Sequence, residues 1–121
     1  MHYVQTYPTP DGGSGMETIE VSTSITDFVP GTPAFGVSEA QTAASTKYLQ
    51  VGPGWQGDWH PTPVRQYLLV LKGGFRIFTT DGQSAEFHPG DAVLLGDTTG
   101  KGHHTVMLGE EDTWIMAIAL T

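Results

Sequence analysis

The chain has 121 residues, no cysteine and a formal net charge of −8 at pH 7. This length supports one domain with a single core, and the lack of thiols excludes disulfides, thiolate metal sites and cysteine nucleophiles. The negative charge disfavours nucleic acid and anionic membrane surfaces as partners. No apolar run approaches the roughly 20 residues of a transmembrane helix. No signal-peptide pattern is visible either, so we expect a cytoplasmic protein.

The first segment, residues 1–16, is rich in proline, glycine and serine, which predicts an irregular lead-in. Beyond it, short runs of β-branched and aromatic residues end at turn residues, which predicts a single barrel domain over 17–121. In chain order the predicted strands are 18–25, 34–37, 47–51, 66–71, 75–79, 85–87, 92–95, 104–108 and 114–120. The best helix candidate, 38–45, is too short to matter. We therefore expect an all-β fold with more than a third of residues in strands and under a tenth in helix.

Five histidines are the main candidates for chemistry. His2 lies in the lead-in and His88 precedes a Pro-Gly turn, so we expect neither to act. His60, His103 and His104 lie at predicted strand ends within segments rich in glycine and proline. Loops mounted on a rigid β scaffold commonly carry function. The alternative is that these histidines are structural residues of the strand ends.

The spacing around His60 resembles the first motif of the cupin superfamily. Gly54 precedes His60 with five residues between them, and Thr62 follows after one residue. Three residues separate Thr62 from Gln66, and six residues separate Gln66 from Gly73. In that motif the positions of His60, Thr62 and Gln66 are usually histidine, histidine and glutamate.

A later segment resembles the second cupin motif. Pro89-Gly90-Asp91 precedes the apolar run 92–95, and Gly100 is followed after two residues by His103. This interval favours His103 over His104 as the pocket residue, since adjacent residues of a strand point to opposite faces. The two segments together resemble a group of small single-domain bacterial cupins.

The resemblance implies a double-stranded β-helix, also called a jelly-roll barrel, that binds a small molecule and forms a homodimer through an outer sheet face. Typical metal-binding cupins supply three histidines and a carboxylate, where this chain has Thr62 and Gln66 in two of the four positions. A hydroxyl and an amide are weak ligands for a divalent transition metal ion. No cofactor is therefore required. A weakly bound Zn, Ni, Fe or Mn ion on His60, Gln66 and His103 is left open.

We expect an enzyme that uses histidine for proton transfer in an elimination, isomerisation or cyclisation. His60 is the leading base, and His103 approaches the same pocket. Gln66 is placed to donate hydrogen bonds to a developing oxyanion. The alternatives are a metal-dependent dioxygenase and a ligand-binding protein without catalysis.

Other side chains are expected to support this pocket. Asp58 and Asp97 are candidates to orient the histidine rings as hydrogen-bond acceptors. At least one aromatic side chain is expected to line the pocket. The residues predicted to contact the substrate are Trp59, Thr62, Phe75 and Trp114.

Overall fold

A computed structural model describes residues 1–120, and these contain twelve strands and no helix. The strands are β1 (His2–Pro8), β2 (Ser14–Glu20), β3 (Ser24–Thr26), β4 (Phe35–Val37), β5 (Ser45–Val51), β6 (Gln56–His60), β7 (Gln66–Lys72), β8 (Phe75–Phe78), β9 (Ser84–Phe87), β10 (Ala92–Leu95), β11 (His103–Met107) and β12 (Thr113–Ala119). The predicted all-β class is confirmed, with about 52% of the chain in strands. The helix candidate over 38–45 is irregular up to the start of β5. Within residues 1–120 there is no helix long and apolar enough to cross a membrane.

Two sheets enclose the core. The larger has the order β2-β1-β10-β7-β12-β5, and the smaller has the order β6-β11-β8-β9. Within these sheets the pairing is antiparallel except between β1 and β10. Both sheets contribute to one buried apolar cluster, which includes Val70, Val93 and Ile115 from the larger sheet and Phe75, Ile77 and Phe87 from the smaller.

Strand alternation decides which side chains reach the interior. In β12, Ile115 and Ala117 are buried while the residues between and beside them are only half-buried. In β7, Leu68 and Val70 point inward. Tyr67 lies on the opposite face, where its ring packs edge-on against Tyr3 at 5.6 Å between centroids.

The N-terminal segment is not the irregular lead-in predicted for residues 1–16, because it forms β1 and the start of β2. β1 pairs with β2 on one side and with β10 on the other, and the proline and glycine residues that made the segment look irregular lie mainly in the intervening turn. Thr6 is fully buried and Met16 joins the core. One of the two partners of β1, Ala92–Leu95, is far along the chain, so no local pattern indicates that this segment lies within a sheet.

The small hairpin of β3 and β4 stands apart from both sheets. It splits the predicted strand 18–25, since β2 ends at Glu20 and β3 begins at Ser24. Its apolar side chains face outward: Ile25 is 78% exposed, and Phe28 and Phe35 stack on each other at 5.8 Å. An isolated two-stranded hairpin is only marginally stable in water.

Candidate functional site

A cavity of about 170 Å³ lies between the two sheets. Its walls are mostly apolar because inward-facing positions of several strands meet there. Six aliphatic or thioether side chains line it: Leu49, Val51, Leu68, Leu95, Met107 and Ile115. Four polar side chains join them, namely His60, Gln66, His103 and Thr105. Few polar groups in an apolar pocket are typical of a small-molecule site.

His103 is held by a buried carboxylate. The residue is 3% exposed, and its Nδ1 lies 2.6 Å from Oδ2 of the fully buried Asp97. The other carboxylate oxygen of Asp97 accepts a hydrogen bond from the Thr6 hydroxyl at 2.7 Å. Because a carboxylate accepts the proton on Nδ1, the neutral ring presents the lone pair of Nε2.

His60 lies beside His103, with 4.9 Å between the ring centroids. The two residues are register partners across β6 and β11. Nδ1 of His60 lies 2.5 Å from the backbone carbonyl of Asp58, which can only accept, so Nδ1 of the neutral ring is the donor. Nε2 of neither histidine has a hydrogen-bond partner within residues 1–120. Two imidazoles with fixed Nδ1 atoms thus share one cavity.

The side-chain amide of Gln66 is held by a hydrogen bond to Thr62. Its Nε2 donates to the Thr62 hydroxyl at 3.1 Å, and that hydroxyl donates to the carbonyl of Val64 at 2.7 Å. The Thr62 hydroxyl therefore links the loop backbone at Val64 to the Gln66 amide by two hydrogen bonds. The second amide hydrogen of Gln66 is available to donate a hydrogen bond to a ligand.

The structure brings together His60, Gln66, His103 and Phe75, as the sequence predicts. Three residues expected to contact substrate do not line this cavity: Trp59, Thr62 and Trp114. Thr62 is buried beside Gln66, while Trp59 and Trp114 each precede an inward-facing residue and so lie on the opposite face. Their role as substrate contacts stays a prediction, and the lining of this cavity does not support it.

Trp55 is the tryptophan that lines the cavity. Its ring lies over Gly57, where a Cβ atom would come within 2.6 Å of Trp55 Cη2 and 3.1 Å of His60 Cε1. The absence of a side chain at Gly57 lets both rings approach. The aromatic contacts predicted from the sequence are Trp59, Phe75 and Trp114, and Trp55 is not among them.

His103, not His104, faces the cavity, in agreement with the motif spacing. His104 lies on the outer face, where its ring is 5.7 Å from both Trp59 and Phe78. Of the two aspartates expected to orient the histidines, Asp97 does so with its carboxylate. Asp58 uses its backbone carbonyl, and its carboxylate accepts from the amide of Trp59.

The donor set does not fit a tightly held transition metal ion. No group of three or more His, Cys, Asp or Glu side chains within residues 1–120 is arranged to hold one. The cavity offers His60, His103 and the neutral amide of Gln66, which is a weak ligand and brings no negative charge. The carboxylate of Asp97 is engaged by His103 and Thr6.

No protein-family profile matches this chain, and no curated protein matches it either. Several solved structures do match. A cupin 2 conserved barrel domain protein from Salinispora arenicola aligns with a TM-score of 0.51 and 22% identity over 63% of this chain and 61% of that one. A cupin-2 domain containing protein from Shewanella frigidimarina aligns with a TM-score of 0.50 and 17% identity over 83% and 80%. The Cnp3 cupin domain from Schizosaccharomyces pombe aligns with a TM-score of 0.50 and 7% identity over 89% and 73%.

The two packed sheets with a histidine-bearing cavity between them define a jelly-roll barrel. This chain has the cupin fold, as the spacing of its two motifs predicts. The alignment spans less than two thirds of the Salinispora chain. At identities of 22% and below, the likeness establishes the fold, so the chemistry has to be argued from the cavity residues.

Proposed function

We propose that the cavity binds a small organic molecule and that the histidines transfer a proton to and from it. The observation that carries this proposal is that His60 and His103 line one small, mostly apolar cavity, each with Nδ1 in contact with an acceptor and with Nε2 left without a protein partner within residues 1–120. A positioned base in such surroundings contributes about 10²–10⁴-fold to a proton transfer.

The hydrogen bonds support His103 as the base in preference to His60, the leading base expected from the sequence. When Nε2 of His103 takes a proton, the ring becomes a cation, and the Asp97 carboxylate at 2.6 Å stabilises that cation. His60 has only a neutral backbone carbonyl in the equivalent position. Its place beside His103 suits a second proton carrier that, when protonated, delivers a proton to a leaving group or to another carbon.

Gln66 supplies the electrostatic part of this mechanism. Removing a proton from carbon leaves an electron pair that moves onto a neighbouring oxygen or expels a leaving group. The free amide hydrogen of Gln66 donates to the oxygen on which negative charge develops. The hydrogen bond to Thr62 holds that amide in place before the reaction begins.

A model elimination tests the proposal without knowledge of the natural substrate. The probe is 5-nitrobenzisoxazole: a base removes the proton on its ring carbon, the N–O bond breaks and the electron pair leaves on oxygen as a coloured cyanophenolate. We expect the protein to exceed free imidazole at equal concentration, and His103→Ala to lower the rate by about 10²–10⁴-fold. His60→Ala should lower it less.

His88→Ala is the matched control, because His88 lies in an exposed turn outside the cavity and should leave the rate unchanged. A wild-type rate equal to that of His103→Ala would contradict proton transfer. If the cavity still bound small molecules, the chain would then be a ligand-binding protein without catalysis. The dioxygenase alternative would need a metal ion, for which the donor set is poor.

We also propose that the protein is a homodimer. The exposed apolar side chains of the β3–β4 hairpin support this, since Ile25 and Phe28 are 78% and 63% exposed. Covering them would remove apolar surface from water. Light scattering at micromolar concentration should give twice the chain mass, and a monomer mass would contradict the proposal.

A further inference from the structure

A second cavity, of about 310 Å³, lies beside the first along the inner face of the larger sheet. On β5, Lys47 lines the second cavity while Leu49 and Val51 line the first. On β12, Ala117 and Ala119 line the second cavity while Ile115 lines the first. Residues two apart on a strand share a face, so the two cavities follow one another along these strands.

Small side chains create the space beside Lys47. Lys47 is the register partner of Ala117 on β12, and Ala117 is the partner of Leu68 on β7. Adjacent strands lie about 4.8 Å apart, so Lys47 and Leu68 are separated by about 10 Å. The methyl group of Ala117 fills little of this distance, which leaves room for a ligand.

Gln66 joins the two cavities, because its side chain lines both. Its amide is anchored to Thr62 at 3.1 Å, so the shared wall consists of a hydrogen-bonding group. A molecule that occupied both cavities would pass this amide. Its one end would lie near the two histidines and its other end near Lys47.

The charges of the lining residues favour an anion. The chain has 13 Asp and Glu residues, yet within residues 1–120 none of them lines either cavity. Lys47 is the one Lys or Arg residue in the described lining. It has no ion-pair partner within residues 1–120. An unpaired cation beside apolar walls, free of carboxylates, attracts a negatively charged group.

We propose that the two cavities form one binding site for a small carboxylic acid with an apolar body. The carboxylate binds Lys47 in the second cavity, and the chain of the acid passes Gln66. The apolar end lies in the first cavity, against its apolar walls and near the histidines. This inference rests on the proposed function in placing the reactive carbon beside His103. The ammonium group of Lys47 can give a carboxylate a charge-assisted hydrogen bond, which is stronger than one between neutral groups.

The test compares the binding of 4-phenylbutyrate with that of 4-phenylbutan-1-ol, its neutral analogue, by titration calorimetry. We expect the acid to bind about tenfold more tightly, the usual worth of a hydrogen bond to a charged group. Lys47→Met, which keeps an apolar stem, should remove this difference, and Lys47→Arg should keep it. The difference should shrink as salt is added, since Lys47 is exposed.

Lys72→Met is the matched control, because Lys72 is exposed and lines neither cavity while its loss changes the net charge equally. Equal affinities for acid and alcohol, a difference that survives Lys47→Met, or no binding of either molecule would overturn the proposal. The elimination assay uses a neutral probe, so its result does not depend on the binding of a carboxylate by Lys47. If elimination is absent but acid binding depends on Lys47, the site stands and the proton transfer does not.

Discussion

The buried carboxylate of Asp97 links His103 to Thr6, so the most N-terminal strand takes part in orienting a histidine of the cavity. Asp97 is fully buried, accepts from the Thr6 hydroxyl at 2.7 Å and lies 2.6 Å from Nδ1 of His103. The Thr6 hydroxyl in turn accepts from the amide of Gly96 at 3.2 Å. Both carboxylate oxygens are thus engaged, which fixes the tautomer and the orientation of His103.

Replacing Asp97 by asparagine tests this link. The amide nitrogen of the new side chain would face a donor on one side, either Thr6 or His103, and leave a buried polar group unpaired. We expect a loss of about 1–3 kcal/mol in the free energy of unfolding, measured by chemical denaturation. The elimination rate should fall by about 10²-fold, because the His103 cation loses its partner.

Asp112→Asn makes the same chemical change at the surface, where Asp112 accepts from Gln50. It should leave the elimination rate unchanged. Equal rates and unfolding energies for Asp97→Asn and the wild type would show that the carboxylate does not hold His103.

Replacing Gln66 by glutamate should weaken proton transfer and strengthen the binding of a metal ion. The new carboxylate would favour the protonated form of the neighbouring imidazoles, in which they cannot accept a proton, so the elimination rate should fall. It would also complete a set of two histidines and a carboxylate, so Zn²⁺ should bind more tightly in calorimetry. Wild-type protein should carry well under one equivalent of divalent metal after dialysis against EDTA.

Gln5→Glu adds the same charge next to Thr6 but on the opposite face of β1, and should change neither property. If Gln66→Glu left both the rate and Zn²⁺ binding as in the wild type, Gln66 would not act in the cavity. Stoichiometric iron, nickel or manganese in the dialysed wild-type protein would instead favour the dioxygenase alternative.

Gly102 permits the contact between the segments that carry the two histidines. Its φ of +77° is one that other residues rarely adopt, and a Cβ atom there would overlap the backbone of His60 and Pro61. Gly102→Ala should therefore cost more than the roughly 1–2 kcal/mol of a left-handed conformation alone. Chemical denaturation measures this cost.

Gly82→Ala provides the comparison, since Gly82 has a φ of +89° and a Cβ atom there would meet nothing within 4 Å. It should show the conformational cost without the overlap. A similar loss of unfolding free energy for both variants would mean that the close contact with His60 is absent.

The Tyr67 phenol makes the free energy of unfolding depend on pH in the alkaline range. Burial, assisted by the neighbouring Tyr3 hydroxyl, raises the pKa of Tyr67 from 10.0 to about 12. The folded chain therefore holds this proton more tightly than the unfolded chain does. The stabilisation is fully present below about pH 10 and is lost as the pH rises through about 12.

Tyr67→Phe should flatten the decline in unfolding free energy between these two pH values, followed by denaturation and by phenolate absorbance. Tyr48→Phe, at a ring that is 68% exposed, should keep the wild-type decline. A Tyr67→Phe variant with the same alkaline decline as the wild type would assign that decline to other groups.

The sequence by itself determined the class of fold and the central cavity residues. Period-two alternation and turn residues are local signals, so they predict strands wherever neighbouring residues decide the conformation. The intervals around His60, Gln66 and His103 resemble the two cupin motifs, and that resemblance implies that these residues meet in one pocket. The same alternation predicts that Gln66 faces inward and Tyr67 outward.

The tertiary structure alone decided which distant groups meet at the site. Thr6 reaches Asp97 only because β1 pairs in parallel with β10, a contact that no local pattern encodes. Trp55 lines the cavity in place of Trp59 because the register between β6 and β11 shifts between the His60–His103 and Gly57–Thr105 pairs, so the alternation of inward-facing residues is interrupted before Trp59. The place of Lys47 beside a cavity was decided in the same way, since a lysine on an edge strand is expected to be solvated until its neighbours across the sheet are known.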